Sequence, residues 1–420
     1  MEKKNYIAGL IASLFLLPGL CGAAEKQVVP ADPAAERTKS GPIQGWIEGG
    51  RTAFKVGETI TFRFHAGAEV SKLALTRWGD DRKEEKLETA LTTNDDVRVT
   101  TSLDKPGTVS VQAKSGDKNL VVTAVVEFEK IRGNEAGAPK DFDAFWKTMW
   151  EKGRAEVGKA KVESYKGSDC RFTALIPCGA AQPSSIGYSI PKDAKPKSCD
   201  AYFSFPGWNP VDATGVPPPV PNRIAVEFNV HGAKCGEKME YHAAFAKEHN
   251  LFNYCFTGNN QDREQTYYHE MALRLIAALE YVKTLPAWSG VIHVHGGSQG
   301  GFLSILAASL DPTVKEVNAL YPWMCDVDSD VRGYLGGWRP GYTDALAYYH
   351  PLHHAMRFRA DQKVHLCAGL GDVTCRPFGI IALYNAIHGV EKKSIDVYQS
   401  SMHCMPSKNG KLDFRKEEKR

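Results

Sequence analysis

A β-branched run, a sharp glycine-rich turn and an apolar helical pattern follow one another between residues 291 and 310. The turn reads Gly-Gly-Ser-Gln-Gly-Gly over 296–301, with Ser298 at its apex. Glycines permit the strand and the helix to approach closely where a side chain would clash. The pattern fits the G-x-S-x-G nucleophile elbow, which holds the Oγ of its serine clear of the sheet. An ordinary strand-to-helix turn that contains a serine is the competing interpretation.

Two later strand ends carry the other groups that a reactive serine requires. A serine hydroxyl becomes a nucleophile when a base accepts its proton, and an acid orients that base. The strand pattern at 364–369 runs into a turn that ends in Asp372, and the pattern at 395–398 runs into a loop that ends in His403. Elbow enzymes place these groups in the chain order Ser, Asp, His. We therefore predict catalytic roles for Ser298, Asp372 and His403.

Other polar residues compete for these roles. Asp326, Asp328 and Asp330 follow another predicted strand and offer an alternative acid. Asp372 could instead be an ordinary turn aspartate without a catalytic role. The histidines at 350, 353 and 354 are spaced like a metal cluster, but no acid or cysteine completes a convincing set, so structural roles are favoured. No C-x-x-C pair occurs in the chain. We expect no metal and no cofactor.

Acyl transfer also needs N–H donors for the oxyanion of the tetrahedral intermediate. The backbone N–H of Gln299, directly after the proposed nucleophile, is the first candidate. The second should come from the loop after an early strand, here residues 204–208, and the backbone N–H of Trp208 is the candidate. Gly207 in the same loop permits close approach of the backbone to a substrate.

Charge and composition exclude some classes of protein. The chain has 420 residues, which suggests two or three domains. Its 52 Lys and Arg are nearly balanced by 49 Asp and Glu, for a formal net charge of +3. The basic residues are scattered and form no stripe or cluster. We therefore expect no nucleic acid partner.

The N-terminus resembles a targeting segment. Lys3 and Lys4 precede an apolar run at 7–17 that is too short to span a bilayer, and small residues at 22–24 offer a cleavage site. We predict a signal peptide over residues 1–24 and a periplasmic or secreted protein without a membrane span. Cys21 follows a poor lipobox, which favours simple cleavage and leaves a lipoprotein as the alternative.

Cysteine usage bears on the compartment. Of ten cysteines, nine remain after cleavage, so at least one thiol is unpaired or bridges to another molecule. An exported chain reaches an oxidising compartment, where disulfides form. Two groups are close enough in sequence to suggest disulfides, whose connectivity stays open: Cys170, Cys178 and Cys199 in one, Cys375 and Cys404 in the other.

Two structured parts follow the leader. Over 42–130, short alternating runs are separated by turn signals, which predicts a small antiparallel, all-β sandwich of immunoglobulin-like type. Trp46 and Trp78 in this part either stack on sugars or, more commonly, fill a core. Over 138–410, strands alternate with helices, which predicts an α/β domain with a mostly parallel central sheet.

Several segments together resemble one known family. They fall in order over about 140–405 and include an extended Gly-Gly-Ser-Gln-Gly-Gly run that is more specific than a bare elbow: residues 141–146, 268–286, 296–301, 322–326 and 369–372. These segments are similar to the acetyl xylan esterase and cephalosporin-C deacetylase family. The resemblance implies an α/β-hydrolase fold, the triad Ser298, Asp372 and His403, and removal of acetyl groups from small acetylated carbohydrates.

The chain departs from the family pattern at several positions. The usual His-Gly-Tyr oxyanion loop reads Pro-Gly-Trp at 206–208, Arg-Gly-Gln reads His-Gly-Ala at 231–233, and Cys404 replaces Glu after the catalytic histidine. These changes leave the chemistry intact and affect the expected substrate contacts. The family forms ring-like hexamers, but the N-terminal sandwich lies outside the family core and could block or replace the contacts of such a ring. A homo-oligomer is therefore one possibility, and the resemblance does not imply the hexamer here.

The combined prediction is an exported serine esterase that deacetylates xylo-oligosaccharides or similar sugar esters through an acyl-enzyme. One alternative is another α/β-hydrolase activity, such as that of a peptidase or a lactone hydrolase, because peptidases of this fold also use Gly-Gly-Ser elbows. A second alternative is a non-catalytic carbohydrate-binding surface protein built on a hydrolase scaffold. The presence of all three triad residue types argues against that second alternative.

Overall fold

The structure of the protein is a computed structural model that describes residues 38–90, 96–403 and 411–412. The predicted signal peptide, residues 1–24, and Cys404 lie outside the described residues. Within the described ranges, no helix combines the length and apolar character needed to cross a membrane.

Two β-sheets form the first part of the described chain. One has the strand order β1-β2-β4-β7 and the other β3-β9-β8-β5-β6. Side chains from both sheets meet in one apolar core, in which Phe62, Phe64 and Val111 are fully buried. Trp46 is also buried, which agrees with the core interpretation. The immunoglobulin-like topology stays a prediction. The strands are β1 (Thr38–Ser40), β2 (Ile43–Ile47), β3 (Ala53–Phe54), β4 (Ile60–Ala66), β5 (Lys72–Gly79), β6 (Glu84–Ala90), β7 (Asp96–Thr101), β8 (Gly107–Ser115) and β9 (Lys118–Val126).

Pairing at one edge differs from the expected antiparallel arrangement. β3 pairs with β9 in parallel, with Ala53 opposite Val125 and Phe54 opposite Val126. The other pairs described in these two sheets are antiparallel. Only a direct hairpin forces two strands to run antiparallel, and β3 and β9 are separated by most of the module.

A ten-stranded sheet forms the second part, in the order β10-β11-β12-β14-β13-β15-β16-β17-β18-β19. The six strands from β14 to β18 in this order run parallel, as predicted, and the outer strands add antiparallel pairs. The strands are β10 (Lys161–Ser164), β11 (Arg171–Ile176), β12 (Ser184–Ser189), β13 (Cys199–Phe205), β14 (Arg223–Asn229), β15 (Trp288–Gly297), β16 (Val314–Leu320), β17 (Lys363–Gly369), β18 (Lys392–Tyr398) and β19 (Lys411–Leu412).

Helices pack on this sheet and on one another. Among them, α4 contacts β11 and β12, α5 contacts β13, β15 and β16, and α7 contacts β17. Nearly all of α5 is buried because it also contacts its neighbours α4 and α6, so it is apolar all round rather than amphipathic. The helices are α1 (Phe142–Arg154), α2 (Met239–Glu248), α3 (Tyr254–Thr257), α4 (Tyr267–Lys283), α5 (Gln299–Leu310), α6 (Pro351–Ala355) and α7 (Pro377–Ala386).

The parallel strands determine where the polar side chains meet. Ser298 directly follows β15, and the loops after β13, β17 and β18 lead to Trp208, Asp372 and His403. Parallel strands end at the same edge of a sheet, and ligands of open α/β sheets bind at that carboxyl edge. The predicted site residues, which are spread over almost 200 positions of the chain, therefore share one edge of the sheet.

Candidate active site

Ser298 lies in the strained turn between β15 and α5. Its backbone has φ 56° and ψ −116°, a conformation that a residue with a side chain rarely adopts. Three backbone hydrogen bonds hold the turn: the Ser298 N–H donates to the carbonyl of Leu320, and the Ser298 carbonyl accepts from the N–H groups of Phe302 and Trp323. Such strain persists only where the surrounding structure imposes it, and it is common at active sites.

The glycines of the elbow are required by close contacts. A Cβ on Gly296 would lie 2.6 Å from the backbone carbon of Gly300, and a Cβ on Gly300 would lie 2.2 Å from the carbonyl oxygen of Phe205. A Cβ on Gly301 would lie 2.8 Å from the Cα of Pro322. In each case the neighbour is backbone, which cannot move aside as a flexible side chain can. The turn therefore brings α5 directly against the ends of β13 and β15.

His403 connects the serine to the acid. Its Nε2 lies 3.1 Å from Oγ of Ser298, and its Nδ1 lies 2.8 Å from Oδ2 of Asp372. Both distances are within hydrogen-bonding range, and each ring nitrogen faces a different partner. The geometry permits a proton to pass from the serine to the imidazole while the carboxylate holds the ring.

Asp372 is held by the turn that carries it. Its side chain is fully buried, and Oδ1 accepts hydrogen bonds from the backbone N–H groups of Thr374 and Cys375, at 2.8 and 2.9 Å. These two backbone donors fix the orientation of the carboxylate. Oδ2 is thereby left to face His403.

The alternative acids have other partners. Asp328 lies 3.2 Å from Nε2 of His350, and Asp330 lies 2.9 Å from the guanidinium of Arg339. Asp326 accepts a hydrogen bond from the N–H of Gly337, and burial raises the pKa of its carboxyl. The structure thus brings Asp372, and none of these three aspartates, to the imidazole of His403.

The two oxyanion candidates lie beside the elbow. Gln299 is the first residue of α5, where N–H groups have no partner within the helix. The loop that contains Trp208 is adjacent, because a Cβ on Gly207 would lie 3.9 Å from the carbonyl oxygen of Gly297. The side-chain amide of Gln299 also donates to the carbonyl of Gly207, at 3.5 Å. The backbone N–H of Trp208 as the second donor stays a prediction.

Sequence reasoning missed a polar chain behind the elbow. The hydroxyl of Tyr254 donates to Oε1 of Gln299, which is fully buried. The ring of His231 packs edge-on against that of Tyr254, with centroids 4.8 Å apart, and its Nδ1 lies 2.6 Å from the hydroxyl of Tyr267. Burial lowers the pKa of His231 to about 3, so the imidazole is neutral. The His-Gly-Ala segment at 231–233 was the one available signal, as a departure from the family pattern.

Cys375 is a second residue that the sequence did not connect with the proposed nucleophile. Its Sγ lies 3.9 Å from Oγ of Ser298. Burial raises the pKa of the Cys375 thiol, and the carboxylate of Asp372 adds to this effect. The thiol is therefore protonated and neutral near the serine, and it does not compete with Ser298 as a nucleophile.

Two further predictions can be compared with the structure. Cys170, Cys178, Cys199 and Cys375 carry free thiols, so the disulfides suggested within the first group are wrong. Thiols close in sequence were not brought to bonding distance by the folded chain.

His353 and His354 direct ring nitrogens at backbone carbonyls, as residues with structural roles do.

Within the described residues, one group offers three potential metal ligands. Donor atoms of Asp372, Cys375 and His403 lie within 4.8 Å of one another. Nδ1 of His403 is already hydrogen-bonded to the carboxylate, and the thiol is protonated, so this donor set fits a proton relay better than a metal centre. Metal independence stays a prediction.

Comparison with known proteins agrees with the elbow. Residues 218–332 match the family described as acetyl xylan esterase (AXE1). This segment contains Ser298 and ends before Asp372 and His403. The acetyl esterase Axe7A of Xylanibacter ruminicola is 27% identical over 274 residues, which cover 59% of this chain and 60% of the relative. The resemblance to the acetyl xylan esterase family is confirmed.

The acetyl xylan esterase from Paenibacillus sp. R4 has a solved structure that shares the fold. It aligns with a TM-score of 0.51 and 19% identity, over 70% of this chain and 96% of that one. The α/β-hydrolase fold predicted for the second part is thereby confirmed. The chain spans 60% of the length of the curated acetyl esterase relative. In this chain, Asp372 and His403 lie outside the segment that matches the family, so their assignment as acid and base depends on the geometry described above.

Proposed function

We propose that the protein is an exported serine esterase that removes acetyl groups from O-acetylated carbohydrates through an acyl-enzyme. One observation carries the proposal: His403 lies between Ser298 and Asp372, with Nε2 3.1 Å from Oγ and Nδ1 2.8 Å from the carboxylate. The strained elbow and the similarity to acetyl xylan esterases support it. These features together match the requirements of acyl transfer.

In the acylation step, Oγ of Ser298 attacks the acetyl carbonyl carbon while Nε2 of His403 accepts the hydroxyl proton. The oxyanion that forms is stabilised by the backbone N–H groups of Gln299 and Trp208. Asp372 stabilises the resulting imidazolium without accepting its proton. The bond between the carbonyl carbon and the sugar oxygen then breaks, His403 gives its proton to that oxygen, and the acetyl group stays bound to Oγ of Ser298 as an ester.

The deacylation step repeats this chemistry with water. His403, neutral again, accepts a proton from a water molecule whose oxygen attacks the acetyl-enzyme carbonyl. The same two N–H groups stabilise the second oxyanion. The bond to Oγ of Ser298 breaks, His403 returns the proton to Oγ, and acetate leaves. Together, the two steps convert one ester and one water to one alcohol and one acetic acid.

Aromatic side chains near the serine support a carbohydrate substrate. The ring of Trp338 lies 5.1 Å from that of Trp208 and 5.0 Å from that of Phe256 (centroid distances). Trp338 also stacks on Trp323, whose backbone N–H donates to the carbonyl of Ser298. Aromatic faces are apolar surfaces on which the C–H faces of a sugar ring can pack. This row of rings leads outward from the elbow to Phe256, which is 38% exposed.

Beyond Phe256 lies an open groove of about 390 Å³, within the range of small-molecule sites. Its lining has no charged side chain, and the acceptor Oδ1 of Asn260 is buried without a hydrogen-bond partner. A neutral lining with amides, hydroxyls and an aromatic ring suits a polyhydroxylated, uncharged ligand. The groove is lined by Phe256, Gly258, Asn259, Asn260, Gln261, Pro340, Gly341, Tyr342 and Thr343.

Two measurements test the proposal. A fluorophosphonate should label Ser298, identified by peptide mass mapping, and the protein should release acetate from acetylated xylo-oligosaccharides but leave peptide amides intact. Ser298→Ala should abolish labelling and acetate release. Ser289→Ala, which removes a hydroxyl at the other end of β15, is the matched control and should retain both. Peptide cleavage without acetate release would overturn the proposal.

A further inference from the structure

Strand β9 of the N-terminal module is buried on both faces. Leu120, Val122 and Ala124 point into the core between the two small sheets, while the alternate residue Val125 belongs to the core of the α/β domain. Side chains alternate between the faces of a strand, so β9 is shared by both parts of the protein. Its continuous apolar run, rather than an alternating one, is typical of a strand covered on both sides.

Thr123, in the middle of β9, binds the loop that carries the acid. Its Oγ1 donates to the carbonyl of Leu370, at 2.9 Å. A hydroxyl has one proton, so Ser110 on β8 must be the donor in its 2.8 Å contact with Thr123. Leu370 is two residues before Asp372, and all these groups are buried. The sandwich thus fixes the backbone at the start of the acid turn.

The loop that carries the base binds the same strand. The side-chain amide of Gln399 donates to the carbonyl of Thr123 at 2.8 Å and its oxygen accepts from the N–H of Thr123 at 3.0 Å. The hydroxyl of Ser400 donates to the carbonyl of Val121. Gln399 is four residues before His403. The side-chain amide of Gln399 therefore pairs with the backbone of β9 as a neighbouring strand would, although Gln399 belongs to the α/β domain.

The loop that carries Asp372 also contacts the loop that carries His403, and it contacts the N-terminal module a second time, at Asp80. The N–H of Gly371 donates to the carbonyl of Ser401, at 3.0 Å. On the far side of the acid turn, Arg376 lies 3.8 Å from the buried carboxyl of Asp80, at the end of β5 and the start of its turn. Asp80 accepts hydrogen bonds from the N–H and hydroxyl of Thr108. The module therefore contacts the acid loop before and after Asp372.

We propose that the N-terminal module is a positioning element of the active site, in which Thr123 and Gln399 set the relative placement of Asp372 and His403. The inference rests on the proposed function, since it assumes that the two residues act on Ser298. Among the described contacts, neither Thr123 nor Gln399 touches Ser298, Asp372 or His403, so both are positioning residues. Loss of their contacts changes the distance between acid and base, on which the rate of proton transfer depends steeply.

The test compares Thr123→Val, Thr123→Ser and Gln399→Met in the full-length chain with a small chromogenic acetate ester. Val has the shape of Thr without the hydroxyl, and Met has the length of Gln without the amide. We expect Val and Met to lower kcat about 10-fold to 100-fold with KM nearly unchanged, and the fluorophosphonate labelling rate of Ser298 to fall in parallel. Thr123→Ser, which keeps the hydroxyl, should retain most of the wild-type kcat.

Gln112→Met is the matched control, because in the described contacts the side chain of Gln112 on β8 hydrogen-bonds only to Asn119 of the same hairpin. It should keep the wild-type kcat. Folding is checked by circular dichroism, and if Thr123→Val is unfolded, Gln399→Met and Asp80→Asn supply the measurement. Two results would overturn the inference: folded Thr123→Val and Gln399→Met variants with the wild-type kcat, or a Thr123→Ser variant whose kcat is as low as that of Thr123→Val. A wild-type protein that neither labels nor turns over would instead refute the proposed function, and this inference with it.

Discussion

Nδ1 of His403 lies 2.8 Å from Oδ2 of Asp372, although the two residues are 31 positions apart in the chain and a complete helix lies between them. The pair is possible because β17 and β18 are parallel neighbours, so the loops that follow them leave the sheet side by side. The acid loop is further held by its own backbone N–H groups. The relation between these two residues is the basis of the first prediction.

Asp372→Asn should lower kcat by about 10³-fold to 10⁴-fold, because an amide can donate to Nδ1 and hold the imidazole in the wrong tautomer. KM should change little, since Asp372 is buried and does not reach a substrate. The measurement is steady-state turnover of a chromogenic acetate ester, with circular dichroism to confirm folding. Asp326→Asn serves as the comparison, and a larger loss of kcat there than in Asp372→Asn would contradict the assignment.

Gly300→Ala should prevent the elbow from forming. The new Cβ would lie 2.2 Å from the carbonyl oxygen of Phe205, and relief requires α5 to move away from β13. We expect a loss of about 3 kcal/mol or more in the free energy of unfolding, at the upper end for overpacking, together with loss of activity. Gly158→Ala, where a Cβ meets nothing within 4 Å, is the control. Equal melting temperatures for the two variants would show that the elbow tolerates a side chain.

Phe256→Ala should distinguish sugar substrates from small esters. Removing this partly exposed ring from the groove should lower kcat/KM for acetylated xylo-oligosaccharides about 5-fold to 10-fold relative to a chromogenic acetate, the loss expected for one aromatic contact. Phe252→Ala is a matched control, because Phe252 is an exposed phenylalanine four residues earlier that does not line the groove. An unchanged ratio of the two substrates in Phe256→Ala would exclude the groove as a sugar site.

His231 should make stability depend on pH. Its pKa is lowered from 6.5 to about 3 by burial, so the unfolded chain binds a proton between these values while the folded protein does not. The folded state is thus favoured above pH 6.5 and loses about 1.4 kcal/mol for each pH unit below it, down to about pH 3. His231→Gln should reduce this slope in urea unfolding measured from pH 7 to pH 5. His388→Gln, at an exposed site, is the control, and equal slopes in both variants would refute the prediction.

Much of the local structure was predictable from residue patterns. In the sequence, Phe142, Phe145, Trp146 and Met149 recur at helical spacing, and they form the buried face of α1. The apolar residues after Tyr267 recur in the same way and are buried along α4. Periodicity predicts such elements because each depends on neighbours three or four positions apart. α2 and β12 were not predicted, since α2 has few buried residues and β12 is a serine-rich strand buried by its neighbours.

The candidate site, like the fold, was predictable only in part. The elbow at 296–301 and the chain order of Ser298, Asp372 and His403 could be recognised in the sequence, because tight turns and strand ends impose particular residues on short segments. Tyr254 and Cys375 could not be recognised, since neither belongs to a local motif. Their contacts with Gln299 and Ser298 exist only because separate segments pack together.

By itself, then, the sequence determined the strained serine turn, the type of each strongly periodic element and the residue types available for acyl transfer. Tertiary structure decided that Asp372 rather than Asp326 meets His403, that β3 joins β9 in parallel, and that nearby cysteines stay unpaired. It also decided that Thr123 meets Gln399, 276 positions away. The physical reason is range: turn and helix preferences arise from adjacent residues, whereas these contacts depend on how complete sheets pack against each other.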